Sequence, residues 1–506
     1  MAQRPVLVYI LALIVLELVS FGFFAHRMGF YQDDWSTAEF CLHAADKSLF
    51  GMVRAFNDNM VRNGTAWYIR PVNILYYPLL CWGGKLAFWR YQAAIMAQEA
   101  LIAVFLFLAL RLANGGIGLP LLTAGLFLIF PNHGATHHWY SAAVTPAMAF
   151  CAAAFWAYAA WLERKRPWLL GGSLALFMLA ALSYEAVVPL ALFFPFLGFM
   201  RDRRLAVPGQ GAWAMAAKRF APFGAAIVML MLYHQGVQAW GPRSLPRRMA
   251  FDPLFILQVL GKGVECNTSA VIDLCRRYLL DARSHFYLGQ WAAAILSGGI
   301  AAMVFERAHA QQEDRLDWAW PLGALGLLLA ANLPYALSAD RYMPHVFDVQ
   351  NRVNMAPSLA GAMLWAWALW ESPRLAPRWA RSMRMGLVGL VVSGFTIANW
   401  HNAWQWSESW RLQREVLDGI KNAGSTLPEG PVVVILDGAP SEVGQVPVFN
   451  ESHAFDPALK LWLGRQDVIG TIMTPMGPQR IFPGEYPRFL YDFRDARLDK
   501  VLAVKS

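Results

Sequence analysis

Long apolar runs, each broken by a short polar or charged segment, fill most of the first 400 residues of the chain. A membrane-crossing helix needs roughly 20 mostly apolar residues, and about eleven stretches approach that length. They are 6–24, 91–112, 117–130, 144–162, 168–182, 186–200, 220–234, 287–305, 318–337, 357–370 and 385–399. The pattern predicts an α-helical polytopic membrane protein, interrupted by two long polar loops at 26–89 and 235–285. The first stretch has no small-residue cleavage site behind it, so it reads as a retained helix. After Trp400 hydropathy falls. Residues 407–423 keep helical spacing, L-P-E-G makes a turn, and P-V-V-V-I-L-D-G reads as a strand of β-branched residues. The pattern thus divides the chain into a transmembrane domain, 1–400, and a small α/β domain, 401–506.

Composition agrees with this division. The chain is 57% hydrophobic and only 15% charged, where soluble domains carry about a quarter charged residues. Its net charge of +9 does not call for nucleic acid. The basic residues gather in short loops at alternate ends of the spans: Arg164, Lys165 and Arg166; Arg201, Arg203 and Arg204; Arg374, Arg378, Arg381 and Arg384. That asymmetry is the positive-inside pattern, and it predicts a cytoplasmic N-terminus with both long loops and the C-terminal domain outside. The Arg- and Ala-rich composition suits a bacterial inner membrane, with the loops in the periplasm. Of the five cysteines, Cys41, Cys81, Cys266 and Cys275 fall outside and Cys151 within a span. Two readings fit them, a local Cys266–Cys275 bridge or free buried thiols, and none has zinc-like spacing.

Polar groups in or beside a bilayer are costly, so the polar stretches of the outer side carry the candidate chemistry. F-Y-Q-D-D-W sets Asp33 beside Asp34, just before Ser36 and Glu39 at capping-box spacing. One reading has an aspartate start a surface helix; in another, one carboxylate works while its neighbour supports it; in a third, both reach a divalent cation such as Mg²⁺ or Mn²⁺. Arg70 precedes Pro71 at the entry to a helical stretch, suited either to snorkelling or to phosphate. P-N-H-G-A-T-H-H brings His133 and His137 to a spacing of four with no acid nearby in sequence, too few ligands for a metal. Glu185 lies between two spans, where a carboxylate is paired, functional or both. Arg341 and Arg352 flank the entry to the span near Pro357, and planar guanidinium groups suit phosphate.

In this order the stretches resemble the GT-C glycosyltransferases, more narrowly the protein O-mannosyltransferase-like branch. Asp33–Asp34 resembles that family's acidic pair, and Tyr68-Ile69-Arg70-Pro71-Val72 is similar to its Y-x-R-P-L element. Pro131-Asn132-His133 is similar to an H-P-x-H-x-E loop, although Ala135 and Thr136 stand in its acidic region. Ser183-Tyr184-Glu185 looks like S-K-E, with Tyr for Lys. Asn351-Arg352 through Pro357-Ser358 looks like E-R-x-x-x-x-P-S, with Asn for Glu.

The resemblance implies an integral-membrane inverting glycosyltransferase that takes its sugar from a polyprenyl-phosphate donor on the outer face. The acceptor would be a lipid, a glycan or a protein. It implies Asp33 as base with Asp34 in support, Arg352, Arg70 and Arg341 for the departing phosphate, and Glu185 and His133 as substrate-site residues. The Arg-rich second loop (Arg243, Arg247, Arg248, Arg276, Arg277) is a donor clamp, or else a solvated or lipid-headgroup-binding loop. Two rivals stay open. A surface-polysaccharide polymerase or ligase would use that late basic loop. A lipid-linked-sugar transporter would show ionisable groups at mid-span and repeated halves.

Overall fold

The computed structural model describes residues 4–62, 70–83, 86–205, 212–240, 251–310, 318–338, 342–347, 349–371, 379–423, 427–475, 477–480 and 486–501. Each of the predicted apolar stretches is helical. Among the described residues seven helices are long and apolar enough to cross a membrane: Val6–Ala25, Phe88–Asn114, Val144–Arg164, Ala217–Val237, Leu288–Ala310, Ala319–Ala336 and Ala380–Ala423. Gly118–Leu128 and Pro167–Ser183 are shorter apolar helices, as is Pro71–Cys81 in the first loop.

The stretch 186–200 departs from the expected single span. It begins as a 3-10 helix, Glu185–Leu192, and only then becomes the α-helix Phe193–Arg204. Pro189 sits inside the first part and has no N–H to donate to an α-helical ladder. Among their described residues both long loops contain helices. The first contains helices Asp33–Leu42, Leu49–Arg62 and Pro71–Cys81, and the second contains Pro253–Cys266 and Ser269–His285. All five cysteines are free and buried, so no Cys266–Cys275 bridge forms.

The expected last span and the polar helix behind it are one continuous element, Ala380–Ala423, of 44 residues. At 1.5 Å per residue such a helix is about 66 Å long. The connecting W-H-N-A-W-Q-W carries no Gly or Pro to break it. Its far half supports the first loop. Gly29 presses against the Trp410 indole so closely that an added Cβ would lie 2.0 Å from Cδ2. Tyr31 Oη donates to the Trp406 carbonyl at 2.7 Å, and buried Trp35 Nε1 donates to Gln413 Oε1 at 2.9 Å.

Beyond this helix lies a five-stranded sheet, ordered Gly477–Pro478, Val468–Thr474, Val432–Asp437, Arg488–Asp492, Arg497–Val501. Val432–Asp437 pairs in parallel on both sides, Val432 opposite Val468 and Val433 opposite Arg488. Its first five residues are all buried, as an apolar run in a central parallel strand requires. Helix Ser452–Leu463 leads into Val468–Thr474 and packs on both that strand and helix Asp33–Leu42.

The helix ends sort by charge. At one end Arg201 and Arg204 both reach Glu163 (3.1 and 2.6 Å), Arg204 also donates to the Leu112 carbonyl, and Arg384 grips Glu306 at 2.8 and 3.0 Å. The basic loops therefore meet one another. The acidic pair, Arg70, the histidine loop, Glu185 and Arg352 lie at the opposite end.

Candidate active site

Helix Asp33–Leu42 begins with the acidic pair itself. Ser36 and Glu39 do not form the expected capping box, because both lie inside the helix. They face the terminal domain instead: Ser36 Oγ donates to the His453 carbonyl at 2.9 Å, and Glu39 pairs with Lys460 at 3.5 Å. The residue before the helix, Gln32, has φ +49° and ψ −121°. That backbone conformation costs a side-chain-bearing residue on the order of 1–3 kcal/mol. Gln32 Nε2 donates to Asn450 Oδ1 at 2.8 Å, another tie to the terminal domain.

The two carboxylates have opposite environments. Asp34 is fully buried; its Oδ2 accepts from Tyr31 N at 3.1 Å and its Oδ1 from Ser141 N at 2.9 Å. Burial pushes its carboxyl well above the usual range, opposed by the Ser141 and Tyr31 donors. The Asp33 side chain is 58% exposed, and its Oδ1 lies 3.3 Å from His453 Nε2. Consecutive helical side chains point about 100° apart, which separates one satisfied carboxylate from one accessible carboxylate. The two carboxylates therefore point to different surroundings. Among the described residues no group of three or more His, Cys, Asp or Glu side chains is placed to hold a metal ion.

Arg70 and Glu185, separated by 115 residues, form a bidentate pair: Nε to Oε2 at 2.9 Å and Nη2 to Oε1 at 2.8 Å. The Arg70 guanidinium also lies over the Tyr184 ring, 4.5 Å from its centroid. Helix Pro167–Ser183 ends just before Tyr184, whose extended backbone turns Glu185 toward Arg70. The neighbouring Asn73 Nδ2 donates to the Ser183 carbonyl at 3.0 Å and fixes this junction.

The loop 131–141 joins these parts. His133 is buried, with Nδ1 3.1 Å from Ser358 Oγ, so it docks the loop on helix Met355–Glu371 and faces no open space. Asn351 Oδ1 accepts from Ala135 N at 2.9 Å. Trp139 lies beneath the Arg352 guanidinium, 4.2 Å from its ring centroid. Tyr140 Oη donates to the Asp34 carbonyl at 2.9 Å, and the Ser141 carbonyl accepts from Tyr77 Oη at 2.6 Å. Tyr77 is within electrostatic range of Arg70, Asp34 and Asp33, and Tyr335 within range of Tyr184, Glu185 and Arg352. One short segment thus holds the acidic pair and the guanidinium groups in a single neighbourhood.

Two acids missed by sequence reasoning underlie this loop. Glu99, from mid-helix Phe88–Asn114, places Oε2 2.5 Å from His137 Nδ1, and both side chains are buried. Glu17, from the first helix, is 1% exposed and within electrostatic range of Glu99. A Q-E dipeptide inside an otherwise apolar span was the available signal.

The basic loop is less free than its composition suggests. Arg276 and Arg277 both pair with Asp273, at 2.8 and 2.9 Å, and Arg277 lies over Phe347. A cavity of about 360 Å³ opens there, between Lys262, Glu265, Asp273, Arg277, His345 and Phe347. Arg341, Arg243, Arg247 and Arg248 lie outside the described residues.

In structure the chain is similar to ArnT from Cupriavidus metallidurans. The crystal structure bound to undecaprenyl phosphate matches at 11% identity and a TM-score of 0.41, over 93% of this chain and 86% of that one. The apo crystal structure matches at 13% and 0.44, over 97% and 93%. No protein-family model matches the chain, and no curated protein does.

Proposed function

We propose that this protein is an integral-membrane inverting glycosyltransferase. It would move a sugar from a polyprenyl-phosphate donor to a hydroxyl of a lipid, glycan or protein acceptor on the outer face. The carrying observation is the shared neighbourhood of an accessible carboxylate, Asp33, and two guanidinium groups, Arg70 and Arg352, at the end of the bundle opposite the basic loops. The positive-inside rule makes that end the outer one.

Asp33 Oδ2 accepts the proton of the acceptor hydroxyl, and the hydroxyl oxygen attacks the anomeric carbon from the side opposite the phosphate. The bond from that carbon to the phosphate oxygen breaks, and its electron pair leaves with the phosphate. Arg352 meets the growing negative charge. Trp139 stacks on its face, which leaves its N–H edge for oxygen, and among the described residues no carboxylate pairs with it. Arg70 is already committed to Glu185 at Nε and Nη2, so it contributes mainly through its charge.

Mass spectrometry of envelope lipids and glycans tests the reading. A strain lacking the gene should lose one hexose- or pentose-derived mass increment. The wild-type gene should restore it, and Asp33→Asn at equal protein level should not. An unchanged envelope, or full rescue by Asp33→Asn, overturns it. The buried Glu17–Glu99–His137 group is the one observation that favours the transporter rival. Sugar-lipid movement across reconstituted vesicles without turnover would decide for that reading.

A further inference from the structure

Among the described residues the C-terminal domain reaches the acidic pair through His453. His453, from helix Ser452–Leu463, places Nε2 3.3 Å from Asp33 Oδ1 and Nδ1 2.7 Å from Glu451 Oε2. Two carboxylates this close to one imidazole favour its protonated form, the imidazolium, whose charge both of them stabilise. The surrounding contacts are equally specific. Ser36 Oγ reaches the His453 carbonyl, and Gln32 reaches Asn450 while keeping its left-handed backbone. The other charged groups across this junction, Glu39, Lys460, Asp456 and Arg480, pair among themselves.

We propose that His453 is a positioning residue of the transfer site: its imidazolium, anchored by Glu451, orients Asp33 and leaves Oδ2 directed to the acceptor hydroxyl. This rests on the glycosyltransferase reading above and adds to it that the C-terminal domain completes the site. A domain that served only as an acceptor platform would not need a cation on the base.

Charge rescue in the full-length chain tests the assignment, with the envelope mass increment per unit of protein as readout. His453→Gln removes the charge and should reduce the product at least tenfold, a part of the roughly 10²–10⁴-fold that a general base contributes. His453→Lys restores a cation that can reach both carboxylates and should recover most of that loss. A contact that merely docks the domain would be disturbed at least as much by Lys as by Gln. Glu451→Gln keeps His453 and the fold of the junction, and should cause an intermediate loss. Product near the wild-type amount in His453→Gln overturns the proposal. So does loss in both His453 variants with a normal Glu451→Gln. Near-normal product in Asp33→Asn would instead overturn the glycosyltransferase reading.

Discussion

Glu99 Oε2 and His137 Nδ1 lie 2.5 Å apart with both side chains buried, one from an apolar helix and the other from the loop that carries Trp139, Tyr140 and Ser141. Together with His133 on Ser358, this contact couples the membrane-embedded bundle to the groups that seat Asp34 and Arg352.

Removing one member leaves the other buried and unsatisfied, which costs about 1–3 kcal/mol. Glu99→Leu should therefore lower the thermal unfolding temperature of the detergent-solubilised protein. It should also reduce transfer by loosening loop 131–141. Glu99→Asp, which retains an acceptor, should lose less of both.

The two aspartates should respond differently to the same substitution. Asp34→Asn turns an amide NH₂ toward either Tyr31 N or Ser141 N, so one buried donor loses its acceptor. A stability loss of about 1–3 kcal/mol is expected, read as a lowered unfolding temperature. Asp33→Asn, on an exposed side chain, should cost less stability than Asp34→Asn, limited to its contact with His453, while transfer is abolished. Because the carboxylates do not converge, EDTA should leave transfer unchanged.

Glu185→Gln replaces a charged bidentate partner of Arg70 with a neutral one. The side chains are 21% and 28% exposed, so solvent screens part of the pair, and a cost of about 1–2 kcal/mol is expected. If Arg70 acts on the phosphate through its charge, donor affinity should change less than turnover. Titration of the donor lipid against transfer rate measures the split.

The junction with the terminal domain should loosen at alkaline pH. The hydrogen bond to Asp33, with Glu451 behind it, raises the His453 pKa above its ordinary 6.5, against an opposing effect of burial. A raised value in the fold means stabilisation that is complete below 6.5 and lost as pH rises through the folded-state value. Limited proteolysis within 427–430, just before strand Val432–Asp437, should accelerate as pH climbs above 6.5. Asp33→Asn should flatten that dependence.

Much of the site was legible residue by residue, but not pair by pair. Arg70 and Glu185 each stand out as charges beside apolar stretches, while their contact spans 115 positions. His133 stood out as a loop histidine, while its burial against Ser358 had no local sign. Asn351, where the resemblance expects Glu, holds the Ala135 amide. Glu17, Glu99 and His453 carried no local signature strong enough to single them out.

Local chemistry alone determined the order of the apolar helices, their charge asymmetry and the strand at Val432–Asp437, because hydropathy and side-chain periodicity act over a few neighbouring residues. Tertiary structure alone decided which aspartate is exposed, which acid answers which base, and that a histidine more than 400 residues away lies against Asp33. Those outcomes depend on how helix ends and the terminal sheet pack together, and packing brings together residues whose separation along the chain leaves no periodic trace.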